Sequence, residues 1–421
     1  MEQIVVTGGR ALNGSVEVCG AKNAVLKHLV AMLLAPGVHY LENVPGIVDV
    51  EIMCRVLEHI GGQIHRDGTS LSVDIPEDIR PEAPIDLVRQ MRASILVLGT
   101  LLARSGEARV ALPGGDDFGS RPIDMHLDGL EALGAEFELR HGVLHASAPG
   151  GLRGSEYHLE FPSVGATENL LFGAVMATGR TVISNAAREP EIADLAAALT
   201  AMGADIRGAG TSTMEIDGVG EMTPMQHRVV PDRLEAGTYL VGGAVTGGEV
   251  TVTGCVPAHL RMELRKLGEA GCGIETGDDW VRLTGPDVRP APVDFVTLPY
   301  PGFHTDMHPQ MVALLSLASG TSVITENIYE SRFRYVGELN RLGADVTTEG
   351  QHVIIRGVDG LSGCPVDACD IRAGAALVLA GLRADGYTIV ANAGHIDRGY
   401  QNFVPNLLSL GADVTREKVP D

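Results

Sequence analysis

Along the chain, one alternation of apolar and polar positions returns six times. It reads Leu-x-x-apolar-Gly-small-x-apolar, as LEHIGGQI (57–64), LEALGAEF (130–137), LTAMGADI (199–206), LGEAGCGI (267–274), LNRLGADV (339–346) and LLSLGADV (407–414). The glycines at 61, 134, 203, 271, 343 and 411 are about seventy residues apart. A fixed period of this kind marks one structural unit used repeatedly. Each phrase predicts the end of an amphipathic helix, a glycine cap and the start of a strand. A second helical pattern recurs in the same six units, rich in alanine and glycine and apolar nearly all round. Its copies lie at 21–37, 88–106, 164–179, 234–248, 305–320 and 370–386, each followed by a short β-branched run. The first type carries charge on one face and predicts a half-exposed outer helix. The second predicts a buried helix that its neighbours approach closely. Each unit therefore reads helix, strand, further strand, outer helix, strand.

Six such units give an α/β fold of two domains, each with three buried helices. The opening segment, IVVTGG with VEVCG, supplies a strand that the last units lack. That predicts one discontinuous domain, 1–20 plus 232–421, and one continuous domain, 21–231. Composition adds limits. Apolar residues make up 45% and charged residues 20% of 421, as in ordinary globular proteins. The net charge of −22 and the lack of a basic stripe exclude a nucleic-acid binder. The six cysteines are scattered, without metal-ligand spacing, and predict reduced thiols in a cytoplasmic protein. No secretory signal opens the chain, and no apolar run approaches the ~20 residues that cross a bilayer.

Polar residues gather at the starts of the buried helices: Lys22 and Asn23; Arg92; Thr167, Glu168 and Asn169; Arg233 and Glu235; Thr305 and Asp306; Asp370 and Arg372. Helix starts present free N–H groups and suit anions. Asn23, Thr305 or Asp370 alone reads equally well as a plain cap. Lysine and arginine at these ends point to phosphate or carboxylate, bound in a cleft on which the ends converge. The loop LPGGDDFGSRP (112–122) reads either as a surface turn or as a lid that brings Arg121 and an aspartate to a reacting centre. ENIYESRFRY (326–335) offers Arg332, and GHIDRGY (394–400) offers His395, Asp397 and Arg398. No nucleotide-binding glycine loop, GxSxG elbow or HExxH helix is present. Aspartates in an anion-lined cleft remain, able to serve as acid and base.

Nine phrases, in order, resemble the UDP-N-acetylglucosamine 1-carboxyvinyltransferase family: GAKNAVL, MRASI, LPGG-x-x-x-G-S-RP, FPSVGATEN, NAAREPEI, TDM, ESRF, DIRAGAALVLAGL and HIDRGY. The resemblance runs over the whole chain and implies a two-domain inside-out α/β barrel with the buried helices inside. It implies transfer of the enolpyruvyl group of phosphoenolpyruvate to the 3′-hydroxyl of UDP-N-acetylglucosamine, by addition and elimination, with no metal and no cofactor. Matched by position, Lys22 and Asn23 would contact both substrates, and Arg121 and Arg398 would grip the phosphate of phosphoenolpyruvate. Arg92 and Arg372 would add positive charge. Arg121, Pro122, Ile123 and Asp124, with Ser163, Val164 and Gly165, would hold the UDP moiety, and Ile328 and Arg332 would lie near the nucleotide. Asp306 would be the base at the sugar hydroxyl. Asp116 stands where the family usually has the lid cysteine that fosfomycin alkylates. It would donate the proton to the methylene carbon, with Asp117 as rival donor, and the protein would resist the drug. His304 stands where proline is usual, and His308 where glutamine is common. A paralogue that uses another nucleotide, such as UMP in nucleoside-antibiotic synthesis, is the alternative. The shikimate-pathway transferase lacks the GAKNA, FPSVGATEN and HIDRGY phrases. A regulatory paralogue without activity would have lost cations that are all present here. The oligomeric state is not encoded in these patterns.

Overall fold

The computed structural model describes residues 2–114 and 122–418. It divides into two compact units, one holding the residues up to Cys19 and from Pro231 onward, the other those from Gly20 to Val230. Asp116, Asp117 and Arg121 lie outside the described residues. Among the described residues, no helix is long and apolar enough to cross a membrane.

One repeat shows the plan of all. Strand Glu156–His158 leads into the buried helix Val164–Ala174, and strand Arg180–Ser184 returns parallel to the first. The outer helix Pro190–Ala201 follows. Strands Asp205–Arg207 and Thr213–Asp217 then form a hairpin whose second member pairs antiparallel with Arg180–Ser184. The sequence pattern placed a second strand before the outer helix, and the structure places both remaining strands after it. The reason is local. Asn185 adopts φ of 56° and ends the strand, and Pro190 opens the helix only a few residues later, which leaves no room for another strand.

The recurring phrase has a physical meaning. Gly61, Gly134, Gly203, Gly271, Gly343 and Gly411 all have φ between 91° and 129°, where a side chain is strained. In each copy the residue after this glycine donates its N–H to the carbonyl of the phrase's leucine. The distances are 2.8 Å for Gly62 to Leu57, 3.0 Å for Ala135 to Leu130 and 3.0 Å for Ala204 to Leu199. The same bond joins Cys272 to Leu267, Ala344 to Leu339 and Ala412 to Leu407. Leucine, glycine and small residue thus form one helix-ending unit, and the leucine also fills the core.

In the Gly20–Val230 unit the inner helices are Lys22–Ala31, Val97–Ser105 and Val164–Ala174. In the other unit they are Arg233–Thr246, His308–Leu315 and Ile371–Arg383. Leu29, Leu101 and Leu170 are fully buried in the first core, each holding about 1.5–3 kcal/mol of transfer free energy. Glycine permits the close approach. A Cβ on Gly99 would sit 2.5 Å from the Asn169 carbonyl oxygen on the neighbouring helix. Polar links tie the helices near their starts. Gly99 N–H donates to Asn169 Oδ1 at 2.9 Å, and Lys27 Nζ lies 3.5 Å from Glu168 Oε1. In the other unit Gln310 Nε2 donates to Thr238 Oγ1 at 3.1 Å. Within each unit, therefore, the inner helices start at the same end.

Each unit closes on itself. Strand Gln226–Arg228 pairs with Gly37–Glu42, so the last strand of the Gly20–Val230 unit completes its first sheet. In the other unit Asn13–Glu17 runs parallel to Glu249–Thr253. Glu2–Thr7 lies between Tyr387–Ala391 and Asp413–Lys418, antiparallel to both. It takes the place of the second hairpin strand found in the other sheets.

Candidate functional site

In the unit that carries the C-terminal half, three predicted residues meet. Asp306 lies in the short turn Thr305–Met307 that opens the His308–Leu315 helix. Its Oδ1 accepts from Arg332 Nη2 at 3.2 Å and its Oδ2 from Arg372 Nε at 3.3 Å. Both arginines are almost wholly buried, while the Asp306 side chain is 21% exposed. A buried guanidinium is costly unless paired. Burial works against the Arg372 charge, but the Tyr400 hydroxyl and Asp306 outweigh it and hold its pKa above the ordinary value. The guanidinium lies over the Tyr400 ring, 4.9 Å from its centroid. Tyr400 in turn meets Thr238 Oγ1 at 2.9 Å. Asp370 caps the Ile371–Arg383 helix through the N–H groups of Arg372 and Ala373, which fixes the root of Arg372.

His304 holds the turn that carries Asp306. The Asp306 N–H donates to His304 Nδ1 at 3.0 Å, so the imidazole caps the turn. Glu326 is a second organiser. Its Oε2 accepts from Thr305 Oγ1 at 2.8 Å, and its Oε1 accepts from the N–H groups of Ile328 and Tyr329. That places Ile328 at the end of a short chain of bonds from Asp306. His308 is fully buried 3.7 Å from Glu326, and burial followed by the Arg332 charge lowers its pKa to about 3, so it is neutral. Arg398 ends the short helix Gly394–Asp397, two residues before Tyr400. Asp397 is bound to Arg416 and belongs to the scaffold.

The Gly20–Val230 unit carries the second group. Lys22 Nζ lies 2.8 Å from Asp49 Oδ2, both largely buried, at the starts of an inner and an outer helix. Asn23 follows Lys22 in the same first turn, and its carbonyl accepts from Lys27 Nζ at 2.8 Å. Glu168, fully buried, has its pKa raised to about 7 by burial, with Lys27 opposing the shift. Arg92 Nη2 donates to the Pro122 carbonyl at 3.2 Å, which ties it to the stretch Pro122, Ile123 and Asp124 at the start of the Asp124–Ala132 helix. Ser163 caps the Val164–Ala174 helix through the Ala166 N–H, leaving Val164 and Gly165 in its half-buried first turn. His126 joins these two helix starts. Its ring packs on Gly165, where a Cβ would lie 2.9 Å away, and its Nδ1 accepts from Asn169 Nδ2 at 2.8 Å.

Sequence reasoning singled out neither His126 nor Asp49, Glu326 and Tyr400. Glu326 and Tyr400 lay inside phrases that were noted for their arginines. His126 has a testable signature. Burial, then Arg92, lowers its pKa from 6.5 to about 4. Its contribution is complete above pH 6.5. As the pH falls toward 4, the unfolded chain takes up a proton that the folded site refuses, and up to about 3 kcal/mol is lost. His126→Gln should flatten the fall in urea-unfolding free energy over that window by this amount. Equal slopes for the two proteins would remove the effect.

The sequence profile of EPSP synthase (3-phosphoshikimate 1-carboxyvinyltransferase) matches residues 6–407. The UDP-N-acetylglucosamine 1-carboxyvinyltransferase of Corynebacterium jeikeium is 52% identical over 99% of this chain and 99% of its own length. The protein of the same name from an Anaeromyxobacter species is 50% identical over 99% of this chain and 100% of its own. Among solved structures, the enolpyruvyl transferase NikO from Streptomyces tendae superposes with a TM-score of 0.91 at 26% identity, covering 100% of this chain and 99% of that one.

Proposed function

The chain belongs to the enolpyruvyl (1-carboxyvinyl) transferase family, and from that premise we propose that it moves the enolpyruvyl group of phosphoenolpyruvate to the 3′-hydroxyl of UDP-N-acetylglucosamine, releasing phosphate. This is the entry step of peptidoglycan precursor synthesis. The observation that carries the reading is 50–52% identity, over 99% of the chain, to proteins bearing that name. Asp306, between Arg332 and Arg372, supports a role as base. Two guanidiniums orient the carboxylate, and its partial exposure lets a hydroxyl reach it.

In the addition step the sugar oxygen bonds to the central carbon of phosphoenolpyruvate and gives its proton to Asp306. The methylene carbon takes a proton from Asp116, forming a tetrahedral intermediate. In the elimination step the methyl group returns a proton to Asp116, the carbon–oxygen bond to phosphate breaks, the double bond reforms, and the proton taken by Asp306 leaves with the phosphate. Arg121 and Arg398 hold the phosphate, Lys22 contacts both substrates, and Arg92 and Arg372 add positive charge where negative charge accumulates. Asn23 contacts the substrates. Arg121, Pro122, Ile123 and Asp124, with Ser163, Val164 and Gly165, hold the UDP moiety, with Ile328 and Arg332 on the nucleotide side. The chemistry is proton transfer and electrostatic stabilisation, which side chains provide.

The second reading, transfer to another nucleotide such as UMP, rests on His304 beside the base. One assay separates the two. Phosphate release from phosphoenolpyruvate should depend on UDP-N-acetylglucosamine and be negligible with UMP. Release with UMP and none with the sugar nucleotide would reverse the assignment.

A further inference from the structure

One cluster of ligating side chains takes no part in the proposed reaction. His28 lies on the inner helix Lys22–Ala31, Asp194 on the outer helix Pro190–Ala201 and His227 on the closing strand Gln226–Arg228. Each offers one ligand atom, and the three atoms lie within 4.8 Å of one another. His227 Nε2 is 2.8 Å from Asp194 Oδ1, and His28 Nε2 is 3.3 Å from Oδ2. The Val230 N–H also donates to Oδ2, at 3.2 Å, and so fixes the carboxylate.

His28 is the unusual member. It is fully buried, and its Nε2 faces Asp194 Oδ2 at 3.3 Å without a well-aligned hydrogen bond. The neutral imidazole is the form that binds metals. Two imidazoles and one carboxylate suit borderline divalent ions such as Zn²⁺ and Co²⁺. Hard ions such as Mg²⁺ and Ca²⁺ prefer oxygen ligands throughout.

We propose that His28, Asp194 and His227 form a structural site for a zinc-class divalent cation, with water completing the coordination. The two imidazoles now stack, with centroids 4.7 Å apart and planes 27° from parallel. A bound metal lies near the plane of each ring, so binding requires the stack to open. His227, with 16% of its side chain exposed, is the ring that turns, while buried His28 stays fixed. The ion would join the first inner helix of the Gly20–Val230 unit to the strand that completes its first sheet. The unfolded chain holds no such trio, so binding favours the folded state by mass action.

The test uses the full-length protein, stripped with a chelator and dialysed against micromolar Co²⁺. About one Co²⁺ per chain should be retained, with a visible d–d band and no thiolate charge-transfer band. Zn²⁺ at a hundredfold excess over its dissociation constant should raise the unfolding temperature by on the order of 5 °C, and Mg²⁺ should not. His227→Gln should lose both the bound cobalt and the zinc response. Asp194→Asn should do the same and serves as the second variant should His227→Gln fold poorly. Substoichiometric binding, undiminished binding by the folded variants, an equal response to Mg²⁺ or a thiolate band would each overturn the proposal.

Discussion

Asp306→Asn is expected to lower turnover by roughly 10²–10⁴-fold, the usual scale for a general acid–base group. The substitution keeps the shape of the side chain and removes its charge and basicity. One carboxylate oxygen becomes an NH₂ donor, which then faces Arg332 Nη2 or Arg372 Nε instead of accepting from it. The backbone contact from Asp306 N–H to His304 Nδ1 does not involve the altered atoms and should persist. Affinity for the sugar nucleotide should therefore change much less than the rate. Steady-state kinetics with both substrates, alongside isothermal binding of UDP-N-acetylglucosamine, separates the two. Near-normal turnover would remove Asp306 from the catalytic groups.

The second large effect concerns residue 116. A carboxylate is a far weaker nucleophile toward an epoxide than a thiolate, so the protein should withstand fosfomycin. Asp116→Cys should remain active and become sensitive, with an adduct at position 116 visible by mass spectrometry. Asp116→Ala should lose at least about 10²-fold in turnover, because the proposed donor to the methylene carbon is removed. Asp117→Ala should be tolerated better. An active Asp116→Ala beside a dead Asp117→Ala would move the proton donor by one residue.

The architecture was legible because its repeat is enforced by backbone chemistry. A leucine carbonyl, a glycine at positive φ and the next N–H must coincide, and only a narrow set of residues permits this six times. The order of strands around each outer helix was less legible. Short β-branched runs carry no mark of which neighbour they pair with, and the long-range register decides it. At the site, charged residues at helix starts were visible, while their buried partners were not. Asp49 looks like an ordinary acidic residue in the first turn of an outer helix, until the fold sets it 2.8 Å from Lys22. His126 sits in an amphipathic helix, and only packing against Gly165 and Asn169 distinguishes it. His28 and His227 are almost two hundred residues apart, a separation at which no sequence spacing signals a ligand set.

Strand Glu2–Thr7, placed between Tyr387–Ala391 and Asp413–Lys418, also sets a timetable for synthesis. At roughly 5–20 residues per second, a ribosome makes this strand tens of seconds before either neighbour. During that wait the Gly20–Val230 segment can emerge whole and close its own sheets, since Gln226–Arg228 finds Gly37–Glu42 without help from later residues. Asn13–Glu17 must hold out until Glu249–Thr253 arrives, and Glu2–Thr7 for far longer. Until then its N–H and C=O groups are an open edge that any other nascent strand could capture. A strand made early is thus among the last to find its sheet.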